Sequence, residues 1–151
     1  MAHVMDTTHG SVVVGRDRAL IVADQPVHQA YTLLRVAFAL LPILAGLDKF
    51  THILVDWNQY LAPAVAQALP VDVGTFMMIV GVIEIAAGVL VASVPRIGGY
   101  VVAAWLWAII ANLVMMASYY DVAARDFGLS LGAIALARLA LHVDAHRRVE
   151  V

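Results

Sequence analysis

Six residues of this chain put ionisable or amide chemistry into apolar surroundings: Arg35, Lys49, Glu84, Asn112, Asp126 and Arg138. A charge inside an apolar run long enough to cross a bilayer costs about 2.5–3.5 kcal/mol on insertion scales, so it persists where it has a partner or lines a wet cavity. Glu84 sits in the middle of such a run, with Gly81 one turn before it and Gly88 one turn after. That spacing puts all three on one helix face, and the missing side chains let another helix approach closely. Glu84 is therefore expected to point into a packed seam, not into lipid.

Arg35 shares a stripe with Ala39, Pro42, Gly46 and Lys49 in the preceding apolar run. If the two runs are antiparallel, Arg35 and Glu84 are offset by about 7 Å at ~1.5 Å rise per residue, within reach of an arginine side chain. Arg138, near the end of the last apolar run, falls at a similar depth. The spacing predicts an Arg35–Glu84–Arg138 cluster. Such a cluster serves either as a satisfied ion network that fixes helix register or as a pocket for a proton, a carboxylate or a quinone headgroup. The two arginines also have the alternative of snorkelling to the interface.

A second polar set is predicted at the opposite end, built on Lys49, Asn112 and Asp126 together with Asp48, His52, Asp56, Asp121 and Arg125. Asp121 and Arg125 have the spacing of a helical pair, and Asp126 or Asp48 would then meet Lys49. Asn112 is predicted to hydrogen-bond between helices. His52 and Asp56 amount to half a metal site, and no metal is assigned to them. The chain has no cysteine, which excludes disulfides, thiolate metal sites and dithiol chemistry by this chain alone. Only His142, at the end of the last apolar run, falls in a predicted span, which gives no bis-histidine haem pair, and no phosphate-binding glycine loop occurs, so no cofactor is identifiable apart from a quinone in the pocket.

The elements that must position these residues follow from composition. Of 151 residues, 63% are apolar and 13% charged, with a mean hydropathy of +0.88. A soluble domain carries about 25% charged residues. A spanning helix needs about 20 mostly apolar residues, and four stretches meet that test: 31–50, 73–94, 97–118 and 121–143. Short links, with Pro95, Gly98 and Gly99 in one and Tyr119 and Tyr120 in the other, make successive helices antiparallel. The longer link 51–72 contains Asp56-Trp57-Asn58-Gln59, which has capping-box spacing, and then a short apolar segment read as an interfacial helix. The predicted fold is an all-α membrane protein, an antiparallel four-transmembrane-helix bundle with a short interfacial helix between helices one and two. Its predicted domain, 31–143, is flanked by cytoplasmic tails, 1–30 and 144–151, and the N-terminal segment lacks the long apolar stretch of a cleaved signal.

Basic flanks set the expected orientation. With both termini inside, the inner flanks hold Arg16, Arg18, Arg96, Arg147 and Arg148, and the outer flanks hold Lys49 and Arg125. This points to the cell inner (plasma) membrane with both ends cytoplasmic. The net charge of −2 gives no basic field for nucleic acid.

Three motifs resemble the DoxX-like family of small four-helix membrane proteins. They are Leu33-Leu34-Arg35 at the start of the first span, Ala45-Gly46-Leu47-Asp48-Lys49-Phe50 at its end, and Gly81-Val82-Ile83-Glu84-Ile85-Ala86-Ala87-Gly88 in the second. The resemblance covers roughly residues 31–141. It implies association with quinone-linked sulfur oxidation or with membrane complexes that handle oxidative stress. Related proteins with cysteine pairs do disulfide chemistry, and this chain lacks the cysteines. The function expected is a non-catalytic integral membrane subunit or anchor of such a redox complex, with other membrane subunits or itself as partners. A quinone- or small-acid-binding oxidoreductase component using the Arg/Glu pocket is the alternative, and a small transporter is the third reading. The binding reading requires a cavity opening sideways to lipid beside Glu84.

Overall fold

The computed structural model describes the backbone of residues 8–149 and the side chains of residues 25–145. The described chain is helical, in the order α1 (Thr8–Thr51), a 3-10 turn (Trp57–Tyr60), α2 (Pro63–Ala68), α3 (Val73–Ser93), α4 (Pro95–Met115) and α5 (Tyr120–Val149). Four segments are long and apolar enough to cross a membrane: Gln25–Thr51, Val73–Ser93, Pro95–Met115 and Tyr120–Ala145. This is a multi-pass membrane architecture. Large apolar side chains such as Leu33, Leu44, Val82, Trp107 and Leu131 face outward, where only lipid would cover them.

Each boundary has a local cause. Asp72 caps α3, its carboxylate accepting from the backbone N–H of Thr75 at 2.9 Å and from the Thr75 hydroxyl at 2.6 Å. Val94 separates α3 from α4, and Pro95 stands at the first position of α4, where its missing N–H costs nothing. Ala117 and Tyr119, at φ 50° and 58°, make the turn into α5. α1 runs without a break through Pro26 and Pro42 and begins upstream of the expected span, at Thr8. The tails as a whole are only partly visible. Residues 1–7 and 150–151 lie outside the described residues, as do the side chains of Arg16, Arg18, Arg147 and Arg148.

Packing depends on small residues. A Cβ on Gly46 would lie 2.5 Å from the Gly81 carbonyl oxygen, and one on Gly88 would lie 2.5 Å from that of Ala39. The backbones of α1 and α3 therefore touch at two points, and the contacts run in opposite directions along the two helices. Gly99 of α4 approaches the carbonyl of Ala133 and the Cβ of Ala137 in α5. Gly98 abuts Val91 of α3, and Gly132 faces the ring of Phe38. Close backbone packing of this kind is what holds helices together in lipid. The pairs α1/α3 and α4/α5 form the tightest seams. The core between them is built from Phe38, Val91, Val102, Ala103, Ala133, Leu136 and Ala140.

Candidate functional site

Glu84 is buried at the α1/α3 seam, as its glycine neighbours predict, but its partner is Lys49. The Lys49 ammonium donates to Glu84 Oε2 at 2.6 Å, with side-chain exposures of 4% and 8%. The register set by the Gly46–Gly81 and Ala39–Gly88 contacts places Glu84 opposite Ile43. Lys49 is then roughly 9 Å of helix rise to one side of Glu84 and Arg35 roughly 12 Å to the other. Helical side chains lean toward their own N-terminus. On α1 that tilt carries Lys49 toward Glu84 and Arg35 away from it. Gly81, on the N-terminal side of Glu84, faces Gly46, so the same tilt carries Glu84 toward Lys49.

The Arg35–Glu84–Arg138 cluster therefore does not form. Arg35 donates instead to the backbone carbonyl of Ala92, near the far end of α3. Arg138 is exposed on α5. Of the expected cluster, only Glu84 lies in the buried seam.

Two tryptophans enclose the ion pair. The ring of Trp57 covers the Lys49 ammonium, with the nitrogen 3.7 Å from the ring centroid. Trp105 of α4 places its Nε1 at 3.5 Å from Glu84 Oε1, the limit of a hydrogen bond. Trp57 is fixed by Asp48, whose carboxylate accepts from Trp57 Nε1 at 2.7 Å, from the N–H groups of Ile53 and Leu54 at 2.9 and 3.0 Å, and from the Thr51 hydroxyl at 3.2 Å. These bonds hold the chain where it leaves α1 through His52 at φ 53°. Asp48 thus secures the indole that shelters its neighbour Lys49.

The other members of the second polar set are dispersed. Asn112 clamps the long link, accepting from the N–H of Ala62 at 2.9 Å and donating to the carbonyl of Tyr60. Asp56 caps the 3-10 turn through the N–H of Asn58 at 3.1 Å, while Gln59 accepts from the Tyr119 hydroxyl at 3.3 Å and does not close a capping box. Arg125 pairs with Asp126 at 3.3 Å, replacing the expected Asp121–Arg125 pair. Asp126 is buried. The Gly132–Phe38 contact puts it level with Leu44, close to the depth of Glu84. The expected grouping of Lys49, Asn112 and Asp126 is therefore three separate interactions.

Beside the ion pair, α3 and α4 leave an apolar groove of about 520 Å³, lined by Ile83, Ala86, Ala87, Leu90, Val101, Ala104 and Trp105. Trp105 belongs to both features, with its ring in the groove wall and its N–H toward Glu84. Sequence spacing alone does not connect Trp105 with Glu84. The missed signal is depth: Gly98 meets Val91, which sets Trp105 level with Glu84. Comparisons with protein-family models, with curated proteins and with solved structures give no match.

Proposed function

We propose that this chain is the membrane-embedded binding subunit of a quinone-linked redox complex, taking a quinone headgroup at the α3/α4 groove beside the Lys49–Glu84 pair. The observation that carries this reading is Trp105. An amphiphile with a carbonyl headgroup needs an apolar cleft reached from lipid and a hydrogen-bond donor at its wall. The groove supplies the first. The indole N–H, now directed at Glu84 across a contact of 3.5 Å, would supply the second by turning from that contact to the headgroup. Lys49 and Glu84 set the local field behind it, and a buried charge pair so close to a lipid-facing groove is a functional candidate by its cost. A bare anchor would need no such groove. The motifs resembling DoxX-like proteins support the redox setting.

In this reading the helices form an antiparallel bundle, with the Trp57–Tyr60 and Pro63–Ala68 segments at the outer interface and both termini cytoplasmic. The quinone is the electron acceptor, and the electron donor and the catalytic centre belong to partner subunits. The test uses the full chain in nanodiscs with Trp57→Phe and Trp107→Phe, which leaves Trp105 as the only tryptophan. Titration with a short-chain ubiquinone should quench its fluorescence saturably, and Lys49→Met should weaken that binding. Quenching that rises linearly without saturation, as for quinone dissolved in lipid, would refute the site.

A further inference from the structure

We propose that the outer seam between α4 and α5 is a binding site for an anionic phospholipid, with Arg96 and Arg138 taking the phosphate and the adjoining groove taking an acyl chain. This cleft adjoins the groove beside Trp105, sharing Val101 and Ala104 with it, but it opens toward α5 and its polar groups are different ones. A cleft of about 590 Å³ runs along this seam, lined by Arg96, Ile97, Tyr100, Val101 and Ala104 of α4 and by Leu141 of α5. Apart from Arg96 and the Tyr100 hydroxyl, its walls are apolar, which suits a hydrocarbon chain.

Arg138 joins this cleft through the helix register. Gly99 packs between Ala133 and Ala137, so Arg138 stands level with Arg96. At ~3.6 residues per turn, Arg138 and Leu141 share one flank of α5, and Arg96 and Tyr100 share the facing flank of α4. The two helices run in opposite directions, so both flanks open on the same outer side, away from α1 and α3. The Arg96 guanidinium therefore stands in the cleft wall, and Arg138 lies level with it on the flank of α5 that carries Leu141.

Neither arginine has an ion pair or hydrogen bond among the described residues. Both are exposed. Arg138 nevertheless lies inside the Tyr120–Ala145 span, about two turns from its end. A cation on the lipid-facing side of a spanning helix requires a counter-charge near the interface, and a lipid phosphate is the anion found there. Guanidinium binds phosphate oxygens in a two-pronged fashion. Two cations with no carboxylate in the cleft wall favour a net-negative headgroup over a zwitterionic one.

The test is native mass spectrometry of the full chain in mild detergent, after incubation with equal amounts of phosphatidylglycerol and phosphatidylcholine carrying identical acyl chains. The unaltered chain should retain the glycerol lipid preferentially. Arg96→Gln and Arg138→Gln should each lower that preference about fivefold, the scale of one basic residue at an anionic membrane surface. Arg138→Lys keeps the charge and should retain most of the preference, which separates loss of the site from loss of fold. Equal retention of the two lipids by the unaltered chain would overturn the proposal. So would an unchanged preference in a folded Arg96→Gln/Arg138→Gln variant, or displacement of the lipid by millimolar inorganic phosphate alone.

Discussion

Replacing Glu84 with alanine should leave the Lys49 ammonium buried with no carboxylate to receive it. Asp48, the nearest carboxylate in sequence, is already engaged by Trp57, Thr51 and two backbone N–H groups. The ring of Trp57 offers a cation–π contact worth about 2 kcal/mol when desolvated, less than the pair itself. Removing one member of a buried pair costs about 3–5 kcal/mol, and the pair is at 2.6 Å with exposures of 4% and 8%. The expected loss is therefore about 3 kcal/mol, or on the order of 10 °C in detergent thermal unfolding for a chain of this length. Lys49→Leu with Glu84→Leu should recover most of it, because apolar side chains of similar volume replace a buried pair at little cost. The same cycle on Arg35 and Glu84 should show no coupling, since Arg35 serves the Ala92 carbonyl. Additive losses for Lys49 and Glu84, or strong coupling between Arg35 and Glu84, would refute the pairing and the register that produces it.

Gly81→Ala should destabilise the fold by about 1–3 kcal/mol through overpacking, because the new Cβ would meet the Gly46 carbonyl oxygen at 2.7 Å; Gly128→Ala, with open space around it, should be neutral in the same thermal assay. Asn112→Leu should cost about 1–3 kcal/mol through the unsatisfied Tyr60 and Ala62 backbone groups, and hydrogen exchange should rise in residues 57–62 while α3 stays protected. Asp72→Ala should lower stability at neutral pH by removing the α3 cap. The Thr75 hydroxyl and N–H hold the Asp72 carboxyl below its ordinary range, so its stabilisation is complete above the unfolded carboxylate value, near ~4, and fades as pH falls through the lower folded one. Unfolding measured from pH 7 to pH 3 should show the wild type converging on the Asp72→Ala variant only at the acid end.

The four spans were legible because length and hydropathy decide them, and Glu84's inward direction was legible because Gly81 and Gly88 share its face. Its partner was not. Arg35 and Lys49 lie on the same stripe, so periodicity cannot choose between them. The choice rests on axial register, set by the Gly46–Gly81 and Ala39–Gly88 contacts, and on the tilt of side chains toward each helix N-terminus. Aligning helix ends alone gave the wrong depth. The roles of Trp57 and Trp105 escaped for a related reason. One reaches the pair through an irregular link and the other from a third helix, and neither shares a repeat with Lys49 or Glu84. Asn112 was read as hydrogen-bonding between spanning helices; it bonds instead to the backbone of the link, at Tyr60 and Ala62.

The Asp48–Trp57 contact bears on how the chain is made. Synthesis proceeds from the N-terminus, so Lys49 leaves the ribosome before Glu84 does. Every bond that Asp48 makes is to a residue within the next few turns of chain. That local knot can therefore close on the nascent chain without α3. It sets the Trp57 ring over the ammonium and gives the charge an interim aromatic shelter until the second span arrives with its carboxylate.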